Sequence, residues 1–216
     1  MDIKRYDSCE ECEKEHEECK ENHNGLTPVQ YFNSLGALNG HAYLAHCVHI
    51  SDEDMEIMAK TNTTLVHNPI SNLKLGSGIA RIKDAIAKGV NVALGTDGVA
   101  SNNNLDMIEE MHIASLLQSG ISGDPAALTV DQVIDMATIN GAKALNRNDT
   151  GLLEVGYKAD IIALDLSKPH LMPNNDSASL VVYSANGGDV CMTMVAGKIL
   201  YEDGKYNIGV DAQAVY

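Results

Sequence analysis

Short apolar runs alternate with amphipathic stretches through the first two thirds of the chain. Three runs have the length and composition of buried strands, at residues 42–46, 63–67 and 90–95. Stretches with helical periodicity follow them, at about 51–60, 79–88 and 105–118. Near-continuous apolar strands that alternate with helices of about ten residues are typical of βα units around a parallel sheet buried on both faces. The pattern therefore predicts an α/β fold.

Capping residues mark the predicted helix starts. Thr27 followed by Pro28 predicts a short helix over residues 28–35, since Thr caps well and Pro suits the first helical position. Ser51 with Asp54 three residues later resembles a capping box. Thr129 predicts the start of a further helix, at 130–138, and another helical piece is expected at 141–145.

The pattern changes after these helices. Four short apolar runs follow, and we predict them as strands without intervening helices, at residues 160–165, 179–183, 190–195 and 198–201. Ala196-Gly197 is a turn signal between the last two. This part is predicted to be a small antiparallel β module. The predicted organisation is a polar segment at 1–26, an α/β part at 27–146 and the β module at 147–216.

Composition narrows the classes of partner. The formal charge is −15, which disfavours nucleic acid and anionic membrane surfaces as partners. No run approaches the roughly 20 apolar residues that span a membrane, and residues 1–7 lack the apolar stretch of a signal peptide. The five cysteines are odd in number, and Cys47 and Cys191 lie in apolar runs. We therefore expect a cytoplasmic protein with free thiols.

Three polar residues occupy equivalent places in the predicted sheet. His46, His67 and Asp97 each stand at or just beyond the end of one strand. In a βα barrel the carboxyl ends of the strands carry the active site. The polar loops that follow, at 67–78 and 96–104, can bring amide and backbone groups close to a ligand. The alternative interpretation is structural: the two histidines would be hydrogen-bonded core residues, the aspartate would cap a turn, and the loops would be solvated connections.

Three segments carry a resemblance to a known family. They are Leu44-Ala-His46-Cys-Val-His49, Val66-His-Asn-Pro-Ile-Ser-Asn-Leu-Lys-Leu-Gly-Ser-Gly78 and Leu94-Gly-Thr-Asp-Gly-Val-Ala-Ser-Asn-Asn-Asn-Leu-Asp-Met107. They resemble the amidohydrolase superfamily, and within it the 5-methylthioadenosine/S-adenosylhomocysteine deaminases and related chlorohydrolases. Gly151-Leu-Leu-Glu-Val-Gly-Tyr-Lys-Ala-Asp-Ile-Ile-Ala-Leu-Asp165 and Val195-Ala-Gly-Lys198 resemble the β module of these enzymes. The resemblance implies the last three strands of a (β/α)8 barrel, with their helices, followed by that module.

The resemblance also implies roles for individual residues. Asp97 matches a metal ligand that takes a proton from the attacking water, and His46 matches a histidine that orients the water and the substrate. The implied ion is zinc, or another divalent metal such as iron or manganese. The implied reaction is hydrolytic deamination of an adenosine-like nucleoside or amino-heterocycle, with release of ammonia. The implied substrate-binding residues are His67, Asn68, Ser71, Asn72 and Ser101.

Two parts of the family pattern are missing. The chain holds no His-x-His pair. The family also has a segment of the type His-x-x-Glu-Thr, and here only its glutamate, a proton shuttle, is matched, by Glu11. Ser8 stands where the family has the metal-ligand histidine. Three strands cannot close an eight-stranded barrel. We therefore expect a fragment that is inactive and does not hold the metal by itself, and that self-associates or needs a complementary N-terminal half. The alternative is a non-catalytic barrel half that assembles with a full-length relative.

The N-terminal segment offers a different metal hypothesis. Cys9, Cys12, His16 and Cys19 would share one face of a helix, the donor set of a Cys₃His zinc site. Ligands from one continuous helix all approach from one side, which rarely surrounds a tetrahedral ion. The other interpretation is a solvated polar helix.

Overall fold

Three parallel strands form the sheet of the α/β part, which confirms the strand prediction. The computed structural model describes residues 25–39, 42–211 and 214. Strands β1 (Tyr43–Ala45), β2 (Thr64–His67) and β3 (Val92–Leu94) lie in the order β1-β2-β3. β1 and β2 are parallel, and so are β2 and β3, with Leu44 opposite Leu65 and Val66 opposite Ala93.

Nine helices are present in the described residues; one precedes β1, the next seven follow the three parallel strands, and the last lies in the second part of the chain. They are α1 (Pro28–Ser34), α2 (Asp52–Lys60), α3 (Pro69–Lys74), α4 (Ile82–Ala87), α5 (Val99–Asn102), α6 (Met107–Ser122), α7 (Val130–Ala137), α8 (Ile139–Ala144) and α9 (Ser177–Tyr183). Two single 3₁₀ turns add Pro169–Leu171 and Gly187–Asp189. No helix within the described residues is both long enough and apolar enough to cross a membrane.

The predicted caps are confirmed. Thr27 and Gln30 exchange hydrogen bonds at the start of α1, and Ser51 and Asp54 do so at the start of α2. Thr129 caps α7 in the same way. Each box satisfies two backbone N–H groups that would otherwise lack partners. The Thr27 hydroxyl also donates to the Asp54 carboxylate, so the first two caps are joined in the folded chain.

Aliphatic and methionine side chains fill the core between the sheet and its helices. The largest fully buried apolar side chains are Met55, Met58, Leu65, Ile82, Met136, Leu171, Val92, Val133 and Val182. With one Phe and no Trp in the chain, this volume comes from flexible and branched residues. The core holds the three strands in register and so sets the spacing of their carboxyl ends.

The second part of the chain contains an antiparallel sheet, as predicted. Strands β4 (Ile161–Leu164), β5 (Val190–Val195), β6 (Lys198–Glu202) and β7 (Lys205–Tyr206) lie in the order β4-β5-β6-β7. Each neighbouring pair is antiparallel. Ala196 and Gly197 form the predicted turn, with φ of +49° and +79°. The domain boundaries near 26 and 146 stay predictions.

One predicted strand is wrong. The apolar run 179–183 is the helical segment α9, not a strand. Asp176 caps this helix by accepting hydrogen bonds from the backbone N–H groups of Ala178 and Ser179, and Val182 is fully buried. A short apolar run suits a strand or a buried helix equally well, so packing decided between them.

Helix α9 joins the β module to the α/β part. The Ser115 hydroxyl and the Tyr183 hydroxyl are 2.8 Å apart, and His112 Nδ1 lies 3.2 Å from the Val182 carbonyl. The Gly187 backbone N–H donates to Asp106 Oδ2 over 2.7 Å. These bonds connect the module to α6 and to the residue that caps it.

A buried aspartate anchors the start of β5. Asp189 is 2% exposed and accepts hydrogen bonds from Lys168 Nζ over 2.9 Å and His170 Nε2 over 3.0 Å. Burial by itself would raise the pKa of this carboxyl, but the bonds from Lys168 and His170 outweigh it and lower the pKa to about 2. The folded state therefore favours the ionised carboxylate.

We expect Asp189→Asn to lower the free energy of unfolding by about 1–2 kcal/mol at pH 7, since solvent reaches both cations and screens them. Because the pKa of Asp189 is lowered in the folded state, its carboxylate stabilises the fold fully above the pKa of about 3.9 that an aspartate has in the unfolded chain. This stabilisation is lost as pH falls toward 2. Urea unfolding at pH 7 and pH 3 measures both effects. The exposed Asp203→Asn is the control, and an equal loss at both pH values would contradict the assignment.

Candidate active site at the carboxyl ends of the parallel strands

The strand-end prediction is confirmed for three residues. His46 follows β1, His67 ends β2, and Asp97 lies three residues beyond β3. His46 and Asp97 have positive φ angles of 67° and 60°. Such conformations cost roughly 1–3 kcal/mol in a residue other than glycine and are concentrated at functional sites. The backbone N–H of His46 donates to the Val66 carbonyl over 2.9 Å, which holds the turn beside β2.

Asp97 is the centre of the hydrogen-bonded cluster at this edge. Its Oδ2 accepts hydrogen bonds from the Ser101 hydroxyl over 2.6 Å and the Ser71 hydroxyl over 2.7 Å. The bond from Ser101, followed by that from Ser71, lowers the pKa of Asp97. His46 Nε2 lies 4.0 Å from the same oxygen. Asp97 is therefore a carboxylate at neutral pH, beside an imidazole nitrogen.

The serine bonds can be tested on Asp97 directly. We expect Ser101→Ala to raise the pKa of Asp97 toward its usual range, because the removed hydroxyl stabilises the ionised form. Carboxyl ¹³C NMR of the metal-free chain across a pH titration measures this pKa. Ser122→Ala, remote from the site, should leave it unchanged. A pKa of Asp97 that is the same in wild type and Ser101→Ala would contradict the role assigned to that hydroxyl.

His46 is oriented by an amide. Its Nδ1 is 2.8 Å from Asn72 Oδ1, an acceptor, so the ring proton lies on Nδ1. The lone pair of the neutral ring then lies on Nε2, the atom that faces Asp97. A hydrogen bond at one ring nitrogen sets the chemistry of the other. Asn72 therefore holds His46 ready to accept a proton at Nε2.

His67 is a buried neutral imidazole. It is fully buried, and neither ring nitrogen has a hydrogen-bond partner among the described residues. Burial, and then the charge of nearby His46, lowers the pKa of His67 to about 4. Asn68 Oδ1 and Asn72 Nδ2 are likewise buried without a partner in the described part of the chain. The hydrogen-bonding capacity of these atoms is therefore unused within the described part of the fold.

Two short helices carry the site serines, where we predicted loops throughout. Ser71 and Asn72 lie on α3 and Ser101 lies on α5. Gly95 lets α3 approach β3, because a Cβ there would lie 2.8 Å from Asn68 Nδ2 and 3.0 Å from Val66 Cγ1. Any larger residue at 95 would push Asn68 away from the strand end.

The structure brings most of the predicted site together. His46, Ser71, Asn72, Asp97 and Ser101 form one hydrogen-bonded and electrostatic cluster, with His67 beside it. Glu11 and the cluster Cys9, Cys12, His16 and Cys19 lie outside the described residues, so their predicted roles remain predictions.

Sequence reasoning missed two residues behind the site. Glu110 is fully buried on α6, and Asn102, 6% exposed, ends α5. The Asn102 side-chain amide donates to Glu110 Oε1 and to the Thr96 carbonyl, over 2.6 Å in each case. One signal was available. Glu110 is spaced by four residues from Ala114, and Ala114 from Gln118, so all three share the buried face of one helix.

The donors present suit part of a divalent metal site. Asp97 offers an ionised oxygen, and the 4.0 Å between its Oδ2 and His46 Nε2 leaves room for one small atom or ion. Within residues 25–39, 42–211 and 214, no three His, Cys, Asp or Glu side chains cluster closely enough to hold an ion together. The described residues therefore fit a metal as partial ligands only.

Curated proteins of similar sequence share one chemistry in their names. A 5-methylthioadenosine/S-adenosylhomocysteine deaminase of Moorella thermoacetica is 48% identical over 193 residues, which are 89% of this chain and 45% of that protein. A 5'-deoxyadenosine deaminase of Methanosarcina acetivorans is 50% identical over 179 residues, 83% of this chain and 41% of that protein. This chain thus spans less than half the length of these relatives.

Two solved structures of similar fold each contain zinc. An adenosine deaminase from Xanthomonas campestris with bound zinc superposes with a TM-score of 0.89 at 32% identity, over 93% of this chain and 46% of that chain. A zinc complex of atrazine chlorohydrolase from Arthrobacter aurescens gives a TM-score of 0.84 at 25% identity, over 93% and 44%. The model of the amidohydrolase family matches residues 6–200. This chain belongs to the amidohydrolase family.

Proposed function

We propose that this protein takes part in metal-dependent hydrolytic deamination of an adenosine-like nucleoside, of the 5-methylthioadenosine/S-adenosylhomocysteine class. The observation that carries the proposal is Asp97, a carboxylate of lowered pKa that faces His46 Nε2 at 4.0 Å. Both lie at the carboxyl edge of a parallel sheet. The names of the similar proteins support the reaction and the substrate class.

The reaction replaces an amine with oxygen. Water forms a C–O bond to the amine-bearing ring carbon, the C–N bond breaks, and ammonia leaves. Asp97 accepts the proton of the attacking water on its carboxylate and passes it to the departing amine, which leaves as ammonia, while His46 orients the water through Nε2. His67, neutral at pH 7, lies on the substrate side of the site together with Asn68 and Asn72, whose buried polar atoms have no partner among the described residues. A positioned acid or base contributes about 10²–10⁴-fold to such a rate.

The described residues do not supply a complete metal-binding site. A bound zinc ion, or another divalent ion, would supply Lewis-acid activation of water and lower the pKa of that water to about 7. Asp97 is the ligand that we propose from the described residues. The other ligands, and a proton shuttle at Glu11, would come from outside them. The zinc in two structural neighbours supports the choice of ion.

A complementary polypeptide would complete the site. We propose that β1, β2 and β3 are the last three strands of a (β/α)8 barrel. The face beside β1 exposes Tyr43 at 55% and Phe32 at 43%, a surface suited to association. The same surface favours the second candidate function, a non-catalytic half that assembles with another chain.

Ammonia release distinguishes the two functions. The chain would be assayed with zinc and 5-methylthioadenosine, alone and mixed with the N-terminal half of the Moorella thermoacetica relative. Release of one ammonia per nucleoside, in either sample, supports the deaminase function. A stable assembly of the two polypeptides that binds zinc and releases no ammonia from adenosine derivatives would favour the non-catalytic candidate.

A further inference from the structure

Glu110 is a buried carboxylate directly behind the site. Its Oε2 accepts the backbone N–H of Ile70 over 3.3 Å, and its Oε1 accepts the side-chain N–H of Asn102 over 2.6 Å. Ile70 lies in the first turn of α3, and Asn102 is the last residue of α5. One side chain on α6 therefore bonds to both of the short helices that carry the site serines.

We propose that Glu110 is a positioning residue that holds α3 and α5 together, so that the hydroxyls of Ser71 and Ser101 converge on Oδ2 of Asp97. Each partner of Glu110 is one residue away from one of these serines. The kinetic consequence of this role rests on the proposed deaminase function. The geometric role does not.

The contrast with Gln118 separates this role from ordinary helix packing. Gln118 lies two turns further along the same buried face and bonds to the Ala80 carbonyl and the Lys83 N–H, which are remote from the site. Asn102, by comparison, also donates to the carbonyl of Thr96, the residue before Asp97. Glu110 is thus linked to the Asp97 turn as well as to both serine helices.

Both carboxylate oxygens are needed for this role. Each accepts from one N–H group, and burial raises the pKa of Glu110 to about 6, so the carboxylate still predominates at pH 7. Glu110→Gln keeps the shape but replaces one acceptor with a donor. A donor that faces the Ile70 or Asn102 N–H breaks one of the two links.

The first test uses ¹H–¹⁵N NMR of the full chain and needs no activity. In Glu110→Gln we expect the amide signals of Asp97 and Gly98 to shift in the direction that Ser101→Ala or Ser71→Ala shifts them. Amide exchange at Ile70 should accelerate about 10- to 100-fold, the equivalent of a lost bond to a charged acceptor. Signals of β2 should stay in place. Glu109→Gln, at the half-buried neighbouring position on the same helix, is the matched control.

Wild-type positions of the Asp97 and Gly98 signals in Glu110→Gln would overturn the proposal, as would uniform shifts across the core. Should Glu110→Gln fail to fold, Glu110→Asp takes its place, because it keeps the charge but is too short to bond to both helices, and the same two signals decide. The expected and the contrary outcome are then read in that variant.

The second test uses the sample that releases ammonia. We expect kcat to fall about 10- to 100-fold in Glu110→Gln, as for outer partners of a metal site, with KM within about threefold. The loss should not add to that of Ser71→Ala with Ser101→Ala, because the changes act on one path. Additive losses would overturn the proposal. If wild type releases no ammonia, the deaminase function fails, and the NMR test alone decides the role of Glu110.

Discussion

Replacing Asp97 by Asn is expected to lower kcat for ammonia release by about 10²–10⁴-fold, the range that a positioned proton acceptor contributes. The amide cannot take the proton of the attacking water, and it is a weak ligand for a divalent ion. Asn tolerates positive φ better than most residues, so the φ of 60° at this position is retained without added strain. The Ser71 and Ser101 hydroxyls can still donate to its amide oxygen.

The measurement is kcat and KM in the catalytically competent sample, together with zinc content. We expect zinc to be lost or weakened in Asp97→Asn, while the urea midpoint changes little. Asp84→Asn is the control, because the Asp84 side chain is half exposed and pairs with Arg81 away from the site. A kcat within about threefold of wild type, with zinc retained, would remove Asp97 from the mechanism.

His67→Leu is expected to stabilise the fold in acid while it impairs catalysis. The pKa of His67 is lowered to about 4 in the folded state, against about 6.5 in the unfolded chain. The unfolded state therefore binds more protons between these values, and wild-type stability falls as pH decreases from 6.5 to 4. The difference between the folded and unfolded pKa values of His67 corresponds to a loss of roughly 3 kcal/mol in the free energy of unfolding over this pH range. Leu has no proton to bind and removes two buried nitrogens that lack partners in the described residues.

Urea unfolding at pH 7, 5.5 and 4 tests this prediction. The stability of His67→Leu relative to wild type should grow as pH falls, and kcat/KM should fall because a substrate contact is lost. His112→Leu, which removes a histidine bonded to the Val182 carbonyl, should leave unchanged the pH dependence of stability that His67 causes. A stability difference between His67→Leu and wild type that is independent of pH would show that His67 titrates normally.

A gain in stability with a loss of activity is the usual signature of a functional residue kept at a cost to the fold. The same reasoning applies to the positive φ angles of His46 and Asp97. Here the β2 and β3 strand ends and the α3 and α5 helices hold both conformations in place.

Local signals explain why part of the site was predictable. The strand ends at His46, His67 and Asp97 follow from apolar runs that stop at a polar residue, and the chain direction of parallel strands brings such ends to one edge. The substrate-side positions of Ser71, Asn72 and Ser101 came from resemblance to the family. Contacts confirm that these three lie at Asp97 or His46, while substrate binding stays a proposal.

Other elements carry no decisive local signal. Helix α3 has no side-chain cap and α5 has four residues, so both were predicted as loops. Residues 179–183 contain two valines and a tyrosine, which favour strands, yet burial of Val182 and the Asp176 cap select a helix. Such short segments have too few local bonds to determine their own conformation.

The sequence by itself determined the alternation of strands and helices, the capped helix starts, the antiparallel module and the polar strand ends, because each depends on residues close together along the chain. Only the tertiary structure decided that two serines share one oxygen of Asp97, that Asn72 orients His46, and that Glu110 joins the two short helices. These contacts join residues 26 to 40 positions apart, or depend on helices that packing alone stabilises. The Asp97 carboxylate acquires its lowered pKa from that packing, since neither hydroxyl lies beside it until the chain has folded.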